Sequence, residues 1–378
     1  MDIDEFRMER HQSLYWHLVD YDLSESGVLP MTIRELLGPA ADADAFLAGT
    51  GLGYPLSEGG FETRANIAAW YPEATADHVT VVNGGSEANF LTLWTLLEPG
   101  DRLAFMLPNY MQGWGLGRHF GRATDTFRLR LRDGLWALDP EELNAAIGKR
   151  TRAVMVCNPN NPTGHVLAEA EMDAVVAAAD RVGAWIVADE IYRGAELDTD
   201  AASSTFWGRY DKVVVTSGLS KAFAMPGLRV GWAVSTPELL HKIWERHDYT
   251  TLTPNIISDR LAALAMLPDV RESILTRTRT IIRENYPFLE AWLRTHEDVF
   301  TWARPVAGAI QYAKYDLPIS STRLVDRIRE RRSVLLVAGD MFGLRKGIRF
   351  GFGYDIERTM KALTLVDEVL AEVSPVRG

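Results

Sequence analysis

The residue with the most chemical promise is Lys221, in the segment TSGLSKAFAMPGLRVGW at residues 216–232. It follows an apolar β-branched run, lies among small hydroxyl side chains, and precedes Arg229 by eight positions. A lone lysine is usually a solvated surface charge. At the end of a buried strand and beside an arginine suited to an anion, it becomes a desolvated amine. Desolvation lowers a lysine pKa, which an imine-forming nucleophile needs.

Other segments carry complementary chemistry. Residues 83–89, NGGSEAN, end a strand and open a helix. Free N–H groups and the positive end of the helix dipole suit a phosphate there, although a glycine pair also makes an ordinary turn and cap. Asp189 closes the run AWIVAD and opens DEIY at 189–192. A carboxylate at a strand's C-terminal end lies where open α/β sheets bind ligands, although such residues also form caps and turns. Residues 158–164, NPNNPTG, read by composition as a proline-rich turn. Arg349 sits inside the apolar run GIRFGFG. An arginine in such a strand requires a partner, and a substrate carboxylate can be gripped in a two-pronged fashion.

The elements that must position these groups are short apolar runs: HVTVVN, RLAFML, RAVMVC, AWIVADE and KVVVTSG, several followed by helix-like stretches. Buried strands alternating with helices predict α/β architecture, a mainly parallel sheet covered on both faces from about residue 50 to 250. Residues 241–296 predict helices that include a long connecting one. AIQYAKYDL, SVLLVAG and GIRFGFG then predict a smaller C-terminal α/β domain. The expected division is an N-terminal segment (1–50) joining the small domain, a large domain (51–280) and a small domain (281–378). With no repeat and no Gly/Ser linker, the domains are expected to pack closely around a crevice.

Composition narrows the classes. The 378 residues are 47% hydrophobic and 24% charged, and 51 acidic against 40 basic residues give a net charge of -11. Without a basic block, nucleic acid and anionic membrane are not expected partners. No apolar run approaches the roughly 18 residues of a membrane span, and the start MDIDEFRMERHQ is unlike a signal peptide. The single Cys157 excludes an intrachain disulfide and a cysteine-based zinc site. A cytoplasmic protein without a bound metal is the expectation.

Taken in order over roughly residues 50 to 355, these segments resemble the fold-type I pyridoxal-phosphate enzymes, specifically the class I/II aminotransferases. The resemblance implies a large domain with a mainly parallel seven-stranded sheet, a smaller α/β domain, and pyridoxal 5'-phosphate as cofactor. It makes Lys221 the internal aldimine lysine and the acid-base group between Cα and the cofactor C4'. Gly85, Ser86, Ser220 and Arg229 would hold the phosphate. Tyr110, in the loop PNY, would stack on the pyridine; Asn161 and Tyr192 would hydrogen-bond its O3', and Asp189 would keep its nitrogen protonated. Arg349 would take the substrate carboxylate, and Gly27, in ESGV, would cover the substrate. Tyr54, in YPLSEG, would reach the phosphate of a neighbouring subunit, which implies a homodimer with shared active sites. Gly218 departs from the family's usual Ser or Thr three residues before the lysine, with Ser217 as a possible substitute.

The implied reaction is transamination between an L-amino acid and a 2-oxo acid through a Lys221 aldimine. Tyr192 favours it, since relatives that cleave C–S bonds commonly carry His there. The segments ESGV and YTTLTPNII also resemble the subset that includes capreomycidine synthase, so the alternative is an amino-acid lyase, cyclase or oxidase acting on an arginine-type substrate. A non-catalytic effector-binding module is less expected, because the fold begins almost at the first residue. No G-x-G-x-x-G opens a helix after the first strand, which disfavours a Rossmann dehydrogenase. Trp16, Arg193 and Trp232 are candidates to line the pocket.

Overall fold

The structure, a computed structural model, describes residues 3–38 and 42–373. Val79–Val82 (β1), Arg102–Leu107 (β2), Ala123–Arg132 (β3), Leu135–Leu138 (β4), Thr151–Cys157 (β5), Trp185–Asp189 (β6), Val213–Gly218 (β7) and Gly231–Val234 (β8) form one sheet. Its order is β1-β8-β7-β6-β5-β2-β3-β4. The five strands β2, β3, β5, β6 and β7 run parallel, and β8 lies antiparallel between β7 and β1. Every residue of β1, β7 and β8 is buried, the continuous apolar pattern of strands covered on both faces.

The sheet has eight strands where seven were expected. The addition is β4, which folds back antiparallel on β3 with Arg132 opposite Leu135. Asp133 and Gly134 make the two-residue connection with φ of 51° and 75°. Positive φ at both positions is the primed turn whose twist matches a hairpin, and Asp-Gly is a preferred pair for it.

A second, four-stranded antiparallel sheet is built from Phe300–Trp302 (β9), Ile310–Tyr315 (β10), Val337–Ala338 (β11) and Gly347–Gly351 (β12), in the order β9-β10-β12-β11. The helical region before it is three helices: Pro237–His247, Ile256–Ala265 and the 27-residue Pro268–Arg294. The last is about 40 Å long at 1.5 Å per residue and contains residue 280, where the large domain was expected to end.

Two further helices matter for the site. Arg7–Tyr15 (α1) belongs to the N-terminal segment, and Gly85–Leu96 (α2) follows β1. After α1 the chain is tied to the second sheet: Tyr21–Asp22 pairs parallel with Val334–Leu335, and the Gly351 N–H donates to Leu23 O at 2.7 Å. Residues 3–28 therefore form a strap fixed beside β12.

Replacing Gly134 with Val forces a β-branched residue to positive φ and should lower stability by roughly 1–2 kcal/mol. Thermal unfolding reads the loss. An unchanged melting temperature would contradict the turn geometry.

Candidate active site

The parallel strands all deliver their C-terminal ends to one side. Asp189 ends β6, Asn161 follows β5, Tyr110 follows β2, and Lys221 stands three residues beyond β7. These ends, the N-terminus of α2 and the strap enclose a cavity of about 850 Å³. Nine of the twelve expected site residues line it: Lys221, Asp189, Tyr192 and Asn161; Gly85, Ser86 and Tyr110; Ser220 and Arg229.

Asp189 is 6% exposed and has no cationic partner among the described residues. Its Oδ2 accepts from Asn89 Nδ2 at 2.9 Å and its Oδ1 from the Ile191 N–H at 3.2 Å, while Asn89 Oδ1 is fixed by the Thr216 hydroxyl at 2.6 Å. Burial outweighs these hydrogen bonds and raises the carboxyl to about 6. Such a group fits a ligand that brings its own N–H cation.

Arg349 is the complementary buried cation. It is 1% exposed, donates Nη1 to Asn161 Oδ1 at 2.9 Å and Nη2 to Ser24 O, and has no carboxylate partner among the described residues. Its Nε is buried without a hydrogen-bond partner. An unpartnered donor on a desolvated guanidinium fits a substrate carboxylate. Arg349 lies behind Asn161 rather than on the cavity wall itself.

At the other end, α2 begins without a side-chain cap, and its N-cap Gly84 has φ of 97°. A Cβ at Gly84 would lie 2.3 Å from Arg229 Nη2, so glycine is what lets the arginine reach the helix terminus. Arg229 Nη1 stands 3.5 Å from Ser220 Oγ. Helix N–H groups, two serines and an arginine without an acidic partner among the described residues make a phosphate-sized anion site. Gly218 has no room for a hydroxymethyl group, because a Cβ would meet Val230 O at 2.7 Å. Ser217 does not replace it: its hydroxyl donates to Glu190 O at 3.2 Å and it is absent from the cavity wall. Alternation along β7 sends consecutive side chains to opposite faces, and Thr216 takes the face toward Asn89.

Lys221 Nζ donates to Glu25 Oε1 at 2.6 Å. Burial would raise the Glu25 carboxyl, but the Lys221 ammonium and the N–H groups of Ser26 and Gly27 hold it down at about 2. Gly27 is not on the wall, yet a Cβ there would stand 3.6 Å from Lys221 Cδ, so its backbone packs against the lysine. The Tyr192 hydroxyl donates to Ser26 Oγ at 2.9 Å, and burial pushes its pKa up. Tyr110 donates to Glu9 Oε1 at 2.8 Å and is edge-packed by Phe6.

Glu25, Ser26, Glu9 and Asn89 are the site residues the sequence reading missed. Asn89 was detectable: it lies four residues after Gly85 and so on the same face of α2. Glu25 and Ser26 lie in the ESGV segment that was singled out for Gly27 alone, and Glu9 carried no local signal. Tyr54 is outside the cavity, 88% exposed. Of the three pocket candidates, Trp16 lines the cavity. Arg193 instead stacks on Trp70 and donates to Ser203 O, and Trp232 is core, bonded to the Tyr71 hydroxyl. Among the described residues no group of three His, Cys, Asp or Glu could hold a metal ion, and no helix is long and apolar enough to cross a membrane.

Because Asp189 titrates near 6 when folded and near 3.8 in its ordinary state, ionising it in the folded protein costs stability. The unfolded chain loses its proton first, so the penalty begins above pH 4 and is complete above pH 6. Asp189→Asn apoprotein should therefore be more stable than the parent at pH 8, by on the order of 2 kcal/mol, with the gain vanishing below pH 4. Denaturant melts across pH check this; a gain independent of pH would contradict it.

The family model described as "Aminotransferase class I and II" matches residues 22–365. Capreomycidine synthase of Streptomyces vinaceus is 29% identical over 362 residues, 92% of this chain and 89% of that protein. Aspartate aminotransferase of Thermotoga maritima is 26% identical over 339 residues, 87% and 86% of the two chains. Among solved structures, a PLP-dependent aminotransferase from Streptococcus suis superposes with a TM-score of 0.91 at 27% identity, covering 99% of this chain and 100% of that one. The PLP-dependent cyclase OrfR superposes with a TM-score of 0.87 at 29% identity, covering 99% of each. With the family model matching most of its length, the chain belongs to the class I and II aminotransferase family, a fold-type I enzyme family whose cofactor is pyridoxal 5'-phosphate.

Proposed function

We propose that this protein is an aminotransferase that moves the amino group of an L-amino acid to a 2-oxo acid. The observation that carries the reading is two buried charges without a counter-ion among the described residues, Asp189 on the cavity wall and Arg349 just behind Asn161, with Lys221 on the same wall as Asp189. The cofactor supplies an electron sink that weakens the bonds at the substrate Cα.

Asp189 holds a proton at the pyridine nitrogen, and Asn89 and the Ile191 N–H keep its carboxylate aimed. The α2 N–H groups, Ser86, Ser220 and Arg229 bind the phosphate. Tyr110 packs against the ring, and Asn161 and Tyr192 hydrogen-bond its hydroxyl. Arg349 binds the substrate carboxylate and so orients every amino acid by its common group. Lys221 would anchor the cofactor, take the proton from the substrate Cα and deliver it to the cofactor C4', on the other side of the shared nitrogen. Gly27 leaves room for the substrate over Lys221.

Tyr54 is proposed to serve the phosphate of a second copy in a homodimer. Its exposure together with that of Leu52, Leu56 and Phe61 supports a surface that a partner covers. The buried, unpaired Cys157 is consistent with a cytoplasmic location.

A second reading is supported by the likeness to capreomycidine synthase and to the cyclase OrfR. In it the same residues weaken the Cα–H bond and the outcome is elimination or ring closure on an arginine-type substrate. Tyr192 favours transfer.

Product analysis separates the two. Incubating the holoenzyme with amino acids should give keto acid only when a 2-oxo acid acceptor is added; ammonia or a ring product without acceptor would select the second reading. Lys221→Ala should lose the cofactor's visible band near roughly 420 nm and all turnover, and a variant that keeps both would contradict the anchoring role.

A further inference from the structure

We propose that Glu87, Thr251 and His247 form a positioning network behind the phosphate site, which fixes the turn opening α2 from outside the cavity and so sets how tightly the cofactor's phosphate is held. This rests on the placing of the phosphate at the α2 terminus and goes beyond it to residues that do not line the cavity.

Glu87 is the third residue of α2, and it stays charged. Burial would raise its carboxyl, but hydrogen bonds from His247, Thr250 and the Asn83 N–H hold it down at about 2. An acid at this position ordinarily competes with a bound anion for the free N–H groups of the first turn. In this chain it is turned away from them. Glu87 Oε2 accepts from the Asn83 N–H at 2.6 Å, one residue before the N-cap Gly84, and α2 keeps a terminus without a side-chain cap. The acid that could close the terminus holds the turn in front of it instead.

A second element imposes that orientation. The helix Pro237–His247 runs into a segment whose Thr251 hydroxyl donates to Glu87 Oε1 at 2.9 Å. The same oxygen accepts from Asn83 Nδ2 at 2.7 Å, and Asn83 Nδ2 also donates to Thr253 O at 3.0 Å. His247 Nε2 stands 2.8 Å from Thr251 Oγ1 and 3.5 Å from Glu87 Oε2. With the single Thr251 proton given to Glu87, the donor role in the His247 contact is assigned to Nε2. The His247 side chain is fully buried and its Nδ1 has no hydrogen-bond partner among the described residues, so Nε2 alone ties the ring to the network. Leu252 adopts φ of 67°, in the region that favours glycine, with its N–H on His247 O at 3.1 Å. That strained residue keeps Thr251 aimed at Glu87.

Asn83 is therefore held by both its N–H and its side chain. Rotating this turn would carry the α2 terminus and Gly84, the residue against which Arg229 packs, away together. Asp189, Asn161 and Lys221 hang on other strand ends and would stay in place. Loss of the network should weaken the grip on the phosphate and spare the pyridine. A charge acting merely by proximity predicts the opposite sign, since removing Glu87 would then tighten the binding of an anion.

The test titrates apoprotein with pyridoxal 5'-phosphate and, separately, with pyridoxal, which lacks the phosphate, following the absorption of the bound aldehyde. Glu87→Ala and Thr251→Val should each lose at least about tenfold in affinity for the phosphorylated form and change by less than about threefold toward pyridoxal. Thr251→Ser and His247→Gln, which keep the donors, should stay within about threefold of the parent for both. Should Glu87→Ala fail to fold, Thr251→Val, at an exposed position, carries the test. Unchanged or tighter binding of the phosphorylated form in Glu87→Ala and Thr251→Val would overturn the network. Equal losses for both aldehydes would also overturn it, as general damage. A parent that binds pyridoxal as tightly as its phosphate would overturn the placing of the phosphate as well.

Discussion

Asp189 must carry its charge in a place from which water has been removed, and the rest of the site is arranged around that constraint. Its carboxylate is fixed by Asn89 and the Ile191 N–H, and Asn89 is in turn held by Thr216. Strand β6 supplies the acid, α2 the amide and β7 the threonine, so the network exists only when the parallel order of the sheet is correct. Hydrogen bonds alone do not offset the burial, which is why the acid stays raised to about 6. The same sheet order aligns the α2 terminus and Lys221 with it.

Opposite the sheet, the strap converts a crevice into a cavity. It supplies Glu25 to the lysine, Ser26 to Tyr192 and Glu9 to Tyr110. It is anchored through Tyr21–Asp22 on Val334–Leu335 and through Leu23 on Gly351, next to Arg349. Arg349 and the strap therefore belong to adjoining pieces of one small-sheet assembly, while Asp189, Lys221 and the α2 terminus belong to the large sheet.

The strand-end residues were legible because each sits at a change from an apolar run to a polar loop, a local pattern that order along the chain preserves. Lys221 and Asp189 were found this way, Arg349 as a charge inside an apolar run, and Asn161 only through the family resemblance; Asn161 joins Lys221 and Asp189 on the cavity wall and takes a hydrogen bond from Arg349 behind it. Strand β4 is legible too, from Asp133–Gly134 between two apolar-alternating runs, but it was not among the strands read from the sequence. The Glu25–Lys221 contact spans 196 positions, and no local pattern encodes a pairing that arises only when the strap docks. Gly218 looked like a missing phosphate ligand; the close approach of Val230 O shows it is a packing requirement.

The central claim is that Lys221, assisted by Asp189, moves the Cα proton of an amino acid. Proton NMR of holoenzyme with L-arginine in deuterium oxide, without acceptor, measures this step apart from any later fate of the substrate. The account predicts loss of the Cα–H signal with the parent protein and no exchange with Lys221→Ala. Exchange at the parent rate in Lys221→Ala, or none with any amino acid in the parent, would contradict it.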